Sequence, residues 1–532
     1  MTTSPSTADL PAAALPPGGM PDIAVLERMV NQLFRDVTGP QTTALPGVPG
    51  LLREPPRAPS AIPALPGIPG ETELRALLGG TAGPTAAPLA FTHAANPQDF
   101  YFLGGGLPTG VPSVPASSAA VVPPVAFPAE RIRQEFPILA ERVHGGRRLV
   151  WLDNAATTQK PRTVIERISR YYERENSNIH RAAHVLAARA TDAYEGARES
   201  VRRFLNAASS DEIVFVRGAT EGINLVAQTW AKANLRAGDE VLVSHLEHHA
   251  NIVPWQQVTA ETGATLRVIP VDDRGALDLD AYARLLNPKV KLVSITQVAN
   301  AIGTVVPVQR VVELAHAAGA RVLVDGAQSV SHMPVDVRAL GADWFVFSGH
   351  KVFAPTGIGA VYGRKELLDA APPYQRGGNM IADVTFERTV FHDAPMRYEA
   401  GTGSIADAVG LGAALDWLMA IGLDRVAAYE HQLIAYANAR LRPVRGLRII
   451  GEPPERAGVL SFVLDGYTTQ EVGQALDKDG IAVRSGHHCA QPILRRFGLE
   501  SSVRPSFALY NTCQDIDALV ATVDRLAGAR RP

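Results

Sequence analysis

The sequence is poor in cysteine: two residues, Cys489 and Cys513, in a chain of 532. That excludes a disulfide scaffold and fits a reducing compartment, so the expected location is cytoplasmic. It also lacks net charge. The formal value is −2, which leaves no global basic field for nucleic acid and no acidic excess for a solvating tail. No apolar run reaches the roughly 18 residues of a membrane span. The opening Met1-Thr-Thr-Ser-Pro-Ser6 has neither the basic nor the apolar stretch of a signal peptide.

Proline is unevenly placed. Of 40 prolines, 23 fall in residues 1–130 and 17 in the rest. A segment rich in Pro, Ala and Gly buries too little apolar surface to offset chain entropy, so residues 1–128 read as a disordered extension. Short apolar stretches interrupt it at Pro21 to Val37, Glu71 to Leu78 and Gln98 to Leu103. None can form a core alone. Repeated on a flexible tether, they suit docking into grooves of a partner.

Folded character begins near Ala129. Runs ending at Val216, Ser244, Val271, Thr296, Asp325 and Ser348 read as buried strands, and they alternate with helical segments. That predicts an α/β chain with a mainly parallel sheet. After about residue 375 a long helix, Ala406 to Ile421, and further short elements predict a smaller C-terminal α/β domain. The expected divisions are 129–150, packing on the small domain; 151–390, the large domain; and 391–532, the small one.

The chemistry centres on Asp325 and on Ser348-Gly349-His350-Lys351. Both follow buried parallel strands, and ligands bind at the carboxyl ends of such strands. A lysine and an aspartate at one rim suit pyridoxal phosphate: its aldehyde needs an amine, and its ring nitrogen needs a carboxylate. Arg217-Gly-Ala-Thr-Glu-Gly222 joins a strand to a helix, where free N–H groups favour phosphate. In Ser244-His-Leu-Glu-His-His-Ala-Asn251 a histidine can stack on an aromatic cofactor or move protons. A zinc site from these histidines and Cys489 is the weaker reading, because it leaves Lys351 and Asp325 without a role. In Arg484-Ser-Gly-His-His-Cys-Ala490, Gly486 implies a mobile loop. There Arg484, His487 and His488 supply positive charge that favours a nucleophilic thiolate at Cys489. Cys513 reads as structural. Arg504 offers a planar fork for a carboxylate.

Leu152-Asp-Asn-Ala-Ala-Thr-Thr-Gln-Lys-Pro161, Asn178-Ile-His-Arg181, the Arg217 loop, Glu247 to Trp255, Asp325-Gly-Ala-Gln328, Ser348 to Lys351 and Arg484 to Cys489 occur in this order. Together they resemble the SufS-type cysteine desulfurases, class V aminotransferase-like enzymes of pyridoxal phosphate fold type I. The likeness covers about residues 130–530. It implies that Lys351 is joined covalently to the cofactor and that Asp325 pairs with its ring nitrogen. Gln328 and Asn300 would sit near its phenolic oxygen, and His248 would stack on the ring as a catalytic residue. Ala219, Thr220, Ser348 and His350 would hold the phosphate, with Thr402 reaching it from the other subunit of a homodimer. Arg504 would bind the carboxylate of L-cysteine, and Asn300, Arg484, His180 and Arg181 would also face the substrate, the last two from the partner subunit. Cys489 would carry a persulfide. Gly403 and Ala182 depart from residues the family often has, Pro and Gly respectively. The extension is similar to that of desulfurases packaged as cargo in encapsulin nanocompartments, which implies an encapsulin shell protein as partner through residues 1–128. A selenocysteine lyase or sulfinate desulfinase is the alternative on the same scaffold, as is a free cytosolic desulfurase for cluster assembly.

Overall fold

The computed structural model describes residues 127–180 and 184–529. The apolar stretches of the extension and Arg181 therefore lie outside the described residues.

After helices α1 (Arg162–Arg174) and α2 (Val185–Leu205), the chain enters a seven-stranded sheet. Its strands are β1 (Ile213–Val216), β2 (Glu240–Ser244), β3 (Thr265–Ile269), β4 (Val290–Thr296), β5 (Arg321–Asp325), β6 (Trp344–Ser348) and β7 (Gly359–Gly363). The order across the sheet is β1-β7-β6-β5-β4-β2-β3. Only β7 runs antiparallel, wedged between β1 and β6. The remaining neighbours are parallel. Strands β1 and β6 are buried along their whole length, which is why they read as unbroken β-branched and aromatic runs rather than alternating ones.

The parallel pairing brings Ser244, Thr296, Asp325 and Ser348, the last residues of four adjacent strands, to one edge. The antiparallel insertion needs a glycine at its start. Gly359 pairs with Ser348 on one side and Val216 on the other. A Cβ there would lie 2.3 Å from the Phe347 carbonyl oxygen, so no side chain fits. Helix α3 (Ala219–Val226) starts at this edge and continues through a π turn over Ala227–Ala231 to Asn234.

Helix α4 (Val253–Thr262) follows the histidine loop, and α5 (Val308–Ala317) precedes β5. Helix α6 (Ile405–Ile421) packs between α1, α2 and the chain's C-terminal third, so apolar residues occupy nearly every face of it. Helix α7 (Leu423–Leu441) leads to a second, antiparallel sheet. This sheet is ordered β8 (Leu447–Ile450), β9 (Ser461–Leu464), β11 (Ser502–Arg504), β10 (Arg484–Gly486), with α8 (Thr469–Lys478) and α9 (Cys513–Ala529) against it. Its own core includes Leu433, Leu460, Phe462, Leu476 and Ile516.

The first described residues are tied to this C-terminal part. Phe127 stacks on Tyr429 at 4.4 Å. Arg133 pairs with Asp515 at 3.2 Å. Val150–Trp151 adds to Ile481–Ala482 as a parallel pair. Cys513, expected to be structural, is instead exposed at the first position of α9: that first turn presents its outer face to water and buries Asp515 and Ile516 on the other.

Candidate active site

The two sheets meet over a cavity of about 190 Å³. Its floor is the strand edge described above. Lys351 follows β6 on a turn, Gly349–Lys351; it is half-buried and lines the cavity. Burial pushes this ammonium down to about 8 against the attraction of Asp325, with Arg504 adding to the fall. Asp325 is 4 % exposed and accepts the Ala327 N–H at 2.9 Å. Burial raises its carboxyl above the ordinary range, opposed by that N–H and by Lys351. Both shifts have one cause, the low polarity of an enclosed site. Among the described residues Lys351 and Asp325 make no direct ion pair, although both line the cavity.

Around them, Ala219, Thr220, Ser348 and His350 line one side. The Ser348 hydroxyl oxygen accepts the Ala219 N–H at 2.8 Å, fixing the first turn of α3 against β6. His350 is held by its backbone: the carbonyl accepts from Thr158 N at 2.9 Å and from the Thr157 hydroxyl at 3.0 Å. Burial, with Lys351 and Lys160 nearby, lowers the His350 ring to about 4. His248 is a neutral ring as well, lowered to about 3 by burial and by the charge on Lys351. Its Nδ1 accepts the Ala250 N–H at 3.0 Å, so the ring proton sits on Nε2.

The second sheet supplies the guanidinium groups. Arg484 and Arg504 are cross-strand partners on β10 and β11. Two like charges side by side need a counter-ion. Asp153 provides it, at 3.1 Å from Arg484 Nη2 and 3.2 Å from Arg504 Nη2. Arg504 is 2 % exposed, donates from Nη1 to the Asn300 carbonyl at 3.1 Å, and leaves Nε buried without a partner. Burial lowers its guanidinium to about 10. Asn300 donates from Nδ2 to the His488 carbonyl at 2.7 Å and leaves Oδ1 unpartnered. Gln328 donates from Nε2 to the Ala155 carbonyl at 2.7 Å.

Cys489 lines the same cavity and is partly buried. The segment expected to be a loop from Gly486 onward begins as a strand, and one of its expected cations, His488, is neutral. Gly486 belongs to strand β10, and the residues after it are anchored. His249 N–H donates to the Cys489 carbonyl at 2.8 Å, Asn300 holds the preceding carbonyl, and the His487 ring accepts the Cys489 N–H at 3.0 Å. His488 and Cys489 both have left-handed backbones, φ +54° and +53°, a strained conformation kept only where neighbours enforce it. His488 adds no positive charge: burial beside Arg504 lowers its ring to about 2.

His180 and Thr402 are not brought to the cavity of their own chain. His180 pairs with Glu195 at 2.9 Å, and Thr402 lines a separate groove with Tyr194, Arg217 and Tyr374. Three contributors went unassigned in the sequence. Asp153 sits inside a motif singled out there but was given no role. Thr296 ends a strand at the same edge as Asp325, which could have flagged it. Glu247 lies fully buried behind the cavity, accepting the Asn251 amide N–H and linked to the Ser244 hydroxyl, both at 2.6 Å. Burial, with Asp325 nearby, raises it to about 8 despite those bonds. Asn251 Oδ1 also accepts from Trp255 Nε1 at 3.0 Å and from the Ser294 hydroxyl at 2.5 Å. This network pins the His248 loop to β4.

A buried amine, a buried carboxylate without an ion-pair partner, and open hydroxyl and ring donors at a helix start are what pyridoxal phosphate requires of a protein. The unpartnered Asn300 Oδ1 and Arg504 Nε add polar atoms left for ligands. The residues fit the cofactor. The family described as "Aminotransferase class-V" matches residues 150–519. The chain belongs to the class-V aminotransferase family. These enzymes depend on pyridoxal phosphate, and within the family this chain stands with the cysteine desulfurases. It is 58 % identical over 460 residues to a cysteine desulfurase of Synechococcus elongatus, covering 83 % of this chain and 73 % of that one. It is 59 % identical to a probable cysteine desulfurase of Mycolicibacterium paratuberculosis, over 75 % of this chain but 58 % of that protein's length. A cysteine desulfurase of Klebsiella pneumoniae is 48 % identical, over 76 % of this chain and 99 % of its own length. Among solved structures, the cysteine desulfurase CsdA of Escherichia coli, in S-sulfonic acid form, superposes with TM-score 0.71. It is 39 % identical over 76 % of this chain and 99 % of that one.

Proposed function

We propose that this enzyme is a SufS-type cysteine desulfurase that converts L-cysteine to L-alanine and leaves a persulfide on Cys489. The observation that carries this reading is that Cys489 lines the same cavity as Lys351, Asp325 and Arg504. A sulfur nucleophile, an amine, a ring-nitrogen partner and a carboxylate receptor thus share one enclosed space.

Arg504 receives the substrate carboxylate, because its Nε has no protein partner and Asp153 and Asn300 already fix the plane of its fork. Pyridoxal phosphate, when bound, supplies an electron sink that makes the substrate's Cα proton and its Cβ–S bond labile. Lys351 Nζ takes and returns the Cα proton. A buried amine lowered toward neutrality exchanges protons more readily than an ordinary lysine. Asp325 would hold positive charge at the ring nitrogen, and His248, neutral and fixed through Nδ1, lines the same cavity. Cys489 Sγ attacks the substrate sulfur: an S–S bond forms, the Cβ–S bond breaks, and the electron pair leaves with the three-carbon fragment, released as alanine after protonation.

The same proposal assigns His180, Arg181 and Thr402 to the neighbouring site of a homodimer, which accounts for His180 and Thr402 lying away from the cavity of their own chain. It divides the folded part into 129–150, 151–390 and 391–532. It further holds that residues 1–128 dock the cytoplasmic enzyme inside an encapsulin shell. The Pro-rich composition of that segment and the short apolar stretches repeated along it support this.

The test of the activity is stoichiometry: purified holoenzyme with L-cysteine and a dithiol should release alanine and sulfide in equal amounts. Release of pyruvate and ammonia instead would reject the desulfurase reading. For the extension, deletion of residues 1–125 should leave that turnover unchanged and abolish co-purification with a co-expressed shell protein. Equal co-purification of both forms removes the packaging claim.

A further inference from the structure

A chain of hydrogen bonds runs behind the Cys489 loop from His488 to the Asn300 loop. His488 Nε2 lies 2.8 Å from the Ser502 hydroxyl, which lies 3.1 Å from the Ser461 hydroxyl, which donates to the Ala301 carbonyl at 2.5 Å. All three side chains are buried, Ser461 and Ser502 completely and His488 to 6 % exposure. The far end sets the direction. A backbone carbonyl only accepts, so the Ser461 proton goes to Ala301, and Ser461 can only accept from Ser502. The Ser502 proton is then used, and Ser502 must accept from His488. The proton of the neutral ring is therefore on Nε2, and Nδ1 carries a lone pair.

That lone pair is left over. His488 lines the cavity, and its Nδ1 is buried with no hydrogen-bond partner in the protein. A buried acceptor without a partner is costly and is kept where a ligand completes it. The ring sits beside Arg504, whose Nε is unpartnered in the same way. We propose that His488 Nδ1 is a substrate-contacting acceptor, receiving a hydrogen bond from the ammonium or thiol of an amino acid whose carboxylate is on Arg504, and that Ser502 and Ser461 are positioning residues that fix its tautomer. The assignment rests on the desulfurase reading for the identity of that amino acid. His488 works here as an acceptor and not as a base, because burial and Arg504 together hold the ring neutral.

The tautomer is measured directly in full-length holoenzyme labelled with ¹⁵N-histidine. One ring, identified by its loss in His488→Gln, should show an unprotonated Nδ1 and a protonated Nε2, with no titration across the neutral range. A proton on Nδ1 overturns the proposal. Kinetics provide the second reading. Gln at 488 reaches Ser502 but places no acceptor near Nδ1, so KM for L-cysteine should rise about tenfold, the worth of one neutral hydrogen bond. Asn reaches the Nδ1 position and should recover most of that loss. A fall confined to kcat in His488→Gln overturns the proposal, since a misplaced Cys489 loop produces that pattern. If the wild-type enzyme releases no alanine, the desulfurase reading fails on its own, while the spectrum still decides the tautomer.

Discussion

Turnover of L-cysteine by a Cys489→Ala enzyme is expected to fall by about three orders of magnitude or more, with the bound cofactor's visible absorbance unchanged. The size follows from what the cavity contains. The only other cysteine, Cys513, lies exposed at the start of α9, away from the cavity-lining residues. No second thiol can take the substrate sulfur. The histidines that line the cavity, His248, His350 and His488, are neutral rings, and an imidazole does not form a persulfide. The cofactor's absorbance should persist because Lys351, Asp325 and the Ser348 turn are held by bonds that do not involve Cys489. The same variant separates the alternatives on this scaffold. A substrate whose leaving group departs without a thiol nucleophile, such as a sulfinate or selenocysteine, should keep measurable turnover. Retention of L-cysteine turnover near the wild-type rate would show that the sulfur is removed without Cys489 and would end the persulfide assignment. The assay is alanine release under single- and multiple-turnover conditions, with persulfide on the wild-type protein detected by mass.

What could be read without coordinates was the local part of this arrangement. Strands ending at Asp325 and Ser348 are visible as apolar runs because both faces of a parallel strand are buried, and that burial puts their ends at one edge. The glycine and polar residues after each strand carry the site, and spacing along the chain suffices to find them. The arginine face was not legible in that way. Asp153 reaches Arg484 across 331 positions and Arg504 across 351, and only the pairing of β10 with β11 makes the two guanidinium groups neighbours. Charge state was misread for the same reason. His488 next to Arg484 and His487 looks cationic in a string of letters, yet its ring is turned into the interior, where the neighbouring cations and the lack of water keep it neutral. Gly486 read as part of a loop, yet it ends strand β10 paired with Ser502. The anchors of Cys489, His249 N–H and the Asn300 amide, come from other elements, and no local sequence feature records them.

The cofactor-free protein should be made more stable by the substitution that destroys its activity. In Lys351→Met the buried amine is replaced by an apolar chain of similar length. Burial holds the folded ammonium at about 8 against an ordinary value of 10.5. The folded state therefore binds its proton more weakly than the unfolded state does. The sign follows. Below the folded value both states are protonated, and the wild-type protein bears the full penalty of a charge enclosed away from water. Between the folded and ordinary values the unfolded state binds more protons, so wild-type stability rises with pH. Above the ordinary value both states are neutral and the penalty has gone. Lys351→Met should thus exceed the cofactor-free wild type by about 3 kcal/mol near neutrality, an order-of-magnitude figure set by the size of the shift. The difference should shrink steadily as pH climbs from 8 toward 10.5. Asp325 limits the gain, because it attracts the ammonium and loses that partner in the variant. Denaturant unfolding of both proteins, stripped of pyridoxal phosphate, at a neutral and an alkaline pH measures it. A variant no more stable than wild type at neutral pH, or a difference that does not narrow with rising pH, would mean that Lys351 carries no desolvation penalty. In that case the proton exchange assigned to its Nζ would lack the lowered affinity it depends on.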